Sequence, residues 1–83
     1  MNLVQLRVVF GRRTATKQQW FATVPRIGDL IELVPRTSDG VIWAAPVDSV
    51  LWAWDISTPE ATIRPEYTDV EQLRAAGWQV TDP

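Results

Sequence analysis

The 83-residue chain contains no cysteine and no histidine, a single lysine, one methionine, four glycines and no long apolar run. Without cysteine there is no disulfide scaffold and no thiol chemistry. Without histidine the common zinc sites, imidazole acid–base catalysis and serine–histidine triads are excluded as well. The longest uncharged apolar stretch, Val41 to Val47, is far short of the roughly 20 residues that span a bilayer as a helix. Gln5 and Arg7 interrupt the only apolar N-terminal run, so no signal peptide is read there and a cytoplasmic location is expected. No Gly-rich phosphate loop and no Asp-rich calcium loop occurs, and no cofactor or metal is expected.

The residues that are present describe a small globular domain. Apolar residues make up 46% and charged residues 22%, which argues against intrinsic disorder. At this length one domain, residues 1–83, with a thin core is expected. Charge is distributed unevenly. Arg7, Arg12, Arg13, Lys17, Arg26 and Arg36 against Asp29 and Glu32 give residues 1–36 a net +4. Arg64 and Arg74 against eight carboxylates give residues 37–83 a net −6. Either the two halves neutralise each other in the fold, or they form faces of opposite sign.

Hydrophobic period and turn residues predict mostly strands. Val4, Leu6, Val8 and Phe10 alternate along residues 2–10, as in a strand with one buried face. The polar run 11–16 reads as a turn, and a second strand is predicted over 17–24 with Trp20, Ala22 and Val24 on one face. Pro25 to Asp29 is a tight turn and 30–34 a third strand. Asp39-Gly40 marks a hairpin. Pro46, which cannot donate to a ladder, is expected to divide the next stretch into two strands, 41–45 and 47–56. In the second of these Val50, Trp52, Trp54 and Ile56 share a face. A short strand over 61–64 ends at Pro65.

A helix is predicted over 69–76. Thr68 and Glu71 have the spacing of a capping box, and Gly77 is placed to end the helix in a left-handed conformation with Leu73 and Trp78 in contact. The expected class is therefore mainly β, a small five-stranded antiparallel barrel or bent sheet with one short C-terminal helix.

The run Val24-Pro25-Arg26-Ile27-Gly28-Asp29-Leu30-Ile31-Glu32-Leu33 resembles the V-P-x-x-G-D-x-I-x-L segment of small SH3-like β-barrel domains of bacteria and phages. Val47-Asp48-Ser49-Val50-Leu51-Trp52 is similar to their later V-x-x-V-x-W strand. The resemblance implies a fold and no particular activity.

Candidate chemistry is sparse. Ser38, Ser49 and Ser57 lack a nucleophile elbow, and the carboxylates Asp48 and Asp55 do not form a dyad by spacing. A non-enzymatic protein is expected. Five tryptophans are too many for a core this small, so at least one is expected at the surface, with Trp43 first and Trp54 next. Trp78, and one of Trp52 and Trp54, are assigned to the core.

The residues support two main readings. The first is a protein-binding module contacting its partner through Trp43, Trp54, Asp48, Asp55, Glu60 and Glu66. Its size and acidity resemble those of anti-CRISPR inhibitors, which implies a phage or mobile-element protein that occludes a host nucleic-acid-processing defence complex. The second is a nucleic-acid-binding barrel using Arg12, Arg13 and Lys17 with an exposed Trp, against which stands a pI near 4.9. A structural part of a larger assembly is a third reading. No membrane partner is expected.

Overall fold

In the computed structural model, residues 1–34, 43–52, 58–65 and 69–81 are described, without the side chain of Trp43. They form a mainly β fold: one curled, half-barrel sheet of six strands and one short helix. The elements are β1 (Asn2–Phe10), β2 (Arg13–Phe21), β3 (Leu30–Val34), β4 (Trp43–Leu51), β5 (Glu60–Ile63), α1 (Val70–Ala75) and β6 (Gln79–Thr81). Their order across the sheet is β3-β4-β5-β1-β2-β6. The expected class holds, with two differences in detail. A sixth strand, β6, comes after the helix and pairs with β2, so the helix is not the last element. In addition, β5 runs parallel to β1, because the chain between them must pass through β3 and β4 before it returns to the middle of the sheet.

The alternation along β1 produces the expected buried face, with Val4, Leu6 and Val8 fully enclosed. The β1–β2 turn is tighter than the polar run suggests. Phe10 pairs with Arg13, so only Gly11 and Arg12 form the loop. Gly11 has φ +60 while Arg12 keeps a negative φ, the pattern of a two-residue turn with glycine first. As a result β2 occupies 13–21 rather than 17–24, and Ala15 is its one fully buried residue.

Pro46 does not divide β4. It lies opposite Leu30, but the ladder bond there comes from the Val47 amide, which donates to the Asp29 carbonyl at 2.9 Å. On the other side, pairing with β5 starts only at Val47. Proline's missing N–H therefore leaves nothing unsatisfied, and the strand runs through it. Of the two predicted strands here, residues 41–42 and 53–56 lie outside the described residues. Two irregularities bend this part of the sheet. Leu33 is the extra residue where β3 meets β4, and Asp48 the extra residue where β4 meets β5.

The helix is shorter than predicted. Asp69 is its N-cap, with its carboxylate accepting from the Glu71 and Gln72 amides, so Asp69 rather than Thr68 caps it; Thr68 lies outside the described residues. Its end forms as predicted. Gly77 takes φ +95, its amide donates to the Arg74 carbonyl, and the Trp78 amide donates to the Leu73 carbonyl.

A half-barrel has two free edges, β3 and β2–β6, and α1 packs against both β3 and β6. Leu73 is fully buried there. Trp78 is 3% exposed, and its indole Nε1 donates to the Leu33 carbonyl at 2.7 Å. The bulge at Leu33 presents that carbonyl, and the tryptophan after the helix ties the two edges together. Val4, Leu6, Val8, Ala15, Ile31, Leu33, Val34, Ala45, Val47, Ala61, Ile63, Leu73 and Trp78 make up one continuous core. Among the described residues no helix is long and apolar enough to cross a membrane.

Candidate functional site

The register places the ends of several elements side by side. Leu51, Glu60, Gln5 and Gln18 form one row across β4, β5, β1 and β2. Trp20 lies opposite Leu3, and Phe21 opposite Asn2, two and three steps beyond that row. The 22–29 connection, with the Gly28 amide donating to the Val47 carbonyl, folds over the same end. Its turn is closed locally: the Asp29 carboxylate accepts from the Arg26 amide at 2.8 Å, and the Asp29 amide donates to the Arg26 carbonyl.

This end carries all six of the large apolar side chains that are exposed among the described residues. Met1, Trp20, Ile27, Leu30, Leu51 and Trp52 range from 57% exposed at Leu51 to 89% at Met1. Three of them, Ile27, Leu30 and Trp52, border two open hollows on either side of the buried Pro25. One, of about 370 Å³, lies among Val24, Ile27, Val50 and Trp52. The other, of about 330 Å³, lies among Phe21, Thr23, Leu30 and Ile31. Scattered exposed apolar residues are ordinary, but several of them bordering adjoining hollows are a feature of contact surfaces.

The sequence-predicted contacts are only partly gathered here. Trp54, Asp55 and Glu66 lie outside the described residues. Trp43 opens β4 opposite Val34, at the far end of that strand from the exposed apolar residues. Of Trp52 and Trp54, one of which is expected in the core beside Val50, Trp52 is 65% exposed, since β4 ends at Leu51 and Trp52 falls past the last sheet position, and Trp54 lies outside the described residues. Trp20 and Ala22, expected on a shared face with Val24, are both exposed: Trp20 lies within β2 on the face opposite that of the buried Ala15, and Ala22 lies past the strand's end at Phe21.

The acidic residues Asp48 and Glu60 are both ion-paired. Asp48, the bulged residue, accepts from Arg64 Nε at 3.3 Å, and Glu60 lies 3.9 Å from Arg7 across the β1–β5 pair. The Arg7–Glu60 contact joins the basic half to the acidic half, so part of the uneven charge is compensated internally. Both pairs are well exposed and contribute little stability.

Among the described residues, the basic residues singled out from the sequence are not gathered into one patch. Arg12 and Arg13 sit at the β1–β2 turn, at the end opposite the exposed apolar residues, while Arg26 lies in the turn beside them. Lys17 points elsewhere. Its ammonium donates to the Ala76 carbonyl at 3.1 Å, at the negative end of the helix, and lies 5.8 Å from the centre of the Trp78 ring. Lys17 thus fastens the helix end to β2. Replacing it by Met keeps the stem and removes both contacts; a loss of about 1 kcal/mol in unfolding free energy is expected, measured by urea denaturation.

The sequence pattern alone does not single out Ile27, Leu30 and Leu51. Signals for two of them are nevertheless present in it. Ile27 is an apolar residue inside a Pro–Gly turn, where nothing requires one, and Leu30 shares its strand face with the charged Glu32. Among the described residues, no group of three or more carboxylates is placed to hold a metal ion. Compared with protein-family models, curated proteins and solved structures, the chain matches none.

Proposed function

We propose that this chain is a non-enzymatic protein-binding module that presents the apolar end of its half-barrel to a partner protein. The observation that carries the reading is the exposed Ile27, Leu30 and Trp52 around two adjoining hollows, with Met1, Trp20 and Leu51 also exposed at that end of the sheet. Tryptophan flanked by aliphatic side chains is the composition of an interface centre, where a few large residues hold most of the affinity. With Asp48 and Glu60 already paired, this end carries the contact, and the carboxylates contribute steering.

Within this proposal the half-barrel is of the SH3-like kind, from a bacterium or phage. In its narrower form the protein is a cytoplasmic mobile-element inhibitor, anti-CRISPR-like, that occludes a surface of a host nucleic-acid-processing complex. The net negative charge of the second half supports that form, since such complexes present basic grooves.

The test compares the wild type with the double variant Ile27→Ser/Trp52→Ser. Neither side chain belongs to the core, so the melting temperature should be nearly unchanged. A host protein captured by the immobilised wild type should bind the variant at least about tenfold more weakly. Equal binding by both overturns the role of this end. Steeply salt-dependent binding of DNA or RNA in a gel shift, or turnover of a small molecule by the purified chain, overturns the proposal as a whole.

A further inference from the structure

We infer that the outer edge of β2, from Gln18 to Trp20, is a self-association site at which two copies of the chain join their sheets antiparallel about a two-fold axis at Gln19. This goes beyond the partner-binding reading and rests on the free backbone edge of β2, of whose residues only Trp20 is also among those exposed at the apolar end.

Backbone direction decides which groups are free. The Gln5 amide donates to the Pro59 carbonyl on the β5 side, so odd-numbered residues of β1 bond toward β5 and even-numbered residues toward β2. Leu6 faces Lys17 and Val4 faces Gln19. In β2, therefore, Lys17 and Gln19 bond back to β1, while Thr14, Thr16, Gln18 and Trp20 bond outward. β6 takes up Thr14 and Thr16, which pair with Thr81 and Gln79, and there it ends. At Gly77 the chain has already turned into the helix, leaving an open notch of about 470 Å³ lined by Gln18, Gly77 and Gln79 among others. No strand of the described residues pairs with the outer side of Gln18 or Trp20.

Folded proteins usually protect such an edge with lysine, proline or a bulge, or cover it. The other edge of this sheet is protected, since β3 carries Glu32 and a bulge and has α1 packed against it. The 18–21 segment, Gln-Gln-Trp-Phe, has no charge and no proline. The one charge beside it, Lys17, is held at the Ala76 carbonyl over the Trp78 ring.

The chemistry favours a second copy as the occupant. A charged edge needs a partner of opposite sign, whereas this one is neutral and meets its own image without repulsion. With Gln19 opposite Gln19 of the other copy, Gln18 faces Trp20 in both directions, and these pairs exchange four backbone hydrogen bonds. Each Gln19 side-chain amide both donates and accepts, so it is complementary to itself across the axis. Trp20, exposed in the single chain, gains a neighbour in the other copy's Gln18. The chain bends at Ala22 and Thr23, and so leaves the edge before it would meet β6 of the other copy. A closed two-fold contact of this kind uses up both edges and does not propagate into a fibre.

Sedimentation of the purified full chain over a wide concentration range tests the inference, with Gln19→Glu and Gln19→Lys as variants. Gln19 is exposed and only its backbone serves the β1 ladder, so both variants should keep the wild-type melting temperature and circular dichroism. The wild type should show a monomer–dimer equilibrium. Each variant alone places like charges face to face and should dissociate about tenfold or more readily, while an equimolar mixture of the two should recover the dimer. Trp20→Pro removes an outward N–H without touching the bonds to β1, and should also abolish the dimer. A wild type that stays monomeric throughout overturns the inference and leaves the edge to a strand of a different protein. Single charge variants that dimerise like the wild type, or a mixture that fails to recover, overturn this edge and this register. No partner protein enters the measurement, so its failure is distinct from failure of the proposed function.

Discussion

Trp78→Ala is expected to destabilise the protein by about 3–5 kcal/mol, the range for removing a buried large aromatic side chain. A domain of this size has roughly 4–12 kcal/mol in total, at about 0.05–0.15 kcal/mol per residue, so the variant should be unfolded or close to it at physiological temperature. The position of the side chain explains the size of the effect. Trp78 is 3% exposed and lies where the half-barrel would otherwise remain open, reached by α1 and β6 from one edge and by β3 from the other. Three contacts meet on it: its amide closes the helix on the Leu73 carbonyl, its indole N–H satisfies the Leu33 carbonyl, and its ring lies beneath the Lys17 ammonium.

Trp78→Phe separates these contributions. It keeps an aromatic ring and the backbone bond, but leaves the Leu33 carbonyl without the indole donor, a cost of about 1–3 kcal/mol for a buried unsatisfied acceptor. The expected order of urea midpoints is wild type, then Trp78→Phe, then Trp78→Ala, with wide gaps. Nearly equal midpoints for wild type and Trp78→Phe would mean that the indole bond to Leu33 contributes nothing, and a mild Trp78→Ala would mean that the edges hold together without it.

That closure is half legible in the sequence. The helix ending is readable because it is local: Leu73, Gly77 and Trp78 are set by the geometry of one helical turn, and their hydrogen bonds form as the spacing implies. The strand over 2–10 is readable for the same reason, since period-two alternation of Val4, Leu6 and Val8 needs no knowledge of the rest of the chain. The acceptor of the indole N–H is not readable. Leu33 is 45 residues away, and its carbonyl is presented by a bulge that exists only once β3 and β4 have paired. Pro46 misleads for a related reason. Proline interrupts a strand that needs its N–H for a ladder, and whether it does depends on a neighbour's register.

The candidate surface is harder still to read. Five tryptophans in 83 residues imply that some face water, and Trp20 and Trp52 do, but exposure is decided by which face the register gives Trp20 and by where β4 ends before Trp52. Alternation alone carries the face of Trp20 on to Val24, and that of Trp52 on to Ile56. Each strand stops within one residue of its tryptophan, which places both at the same end of the sheet. The acidic residues look free in the sequence because ion pairing is a tertiary fact: Arg7 reaches Glu60 only through the parallel β1–β5 pairing, which no local pattern announces.

Leu6→Ala is the second large effect, expected at about 2–5 kcal/mol. Leu6 is completely enclosed, in the middle of β1, which is itself bonded on both sides, antiparallel to β2 and parallel to β5. Its neighbours place the cost in the upper part of that range. Ala61 lies opposite it on β5, and Ala15 lies beside the next inward position of β1 on β2. Alanines have no spare length to move into a vacated volume, and the strands on either side are fixed by their ladders, so a cavity remains instead of collapsing. Leu51→Ala removes the same atoms from a position that is 57% exposed on the outer face, and should change stability by no more than about 0.5 kcal/mol. Because the two variants are chemically identical substitutions, the difference between their urea midpoints measures enclosure alone. A Leu6→Ala protein as stable as Leu51→Ala would show that β1 is not at the centre of the core, and the parallel pairing with β5 would have to be abandoned with it.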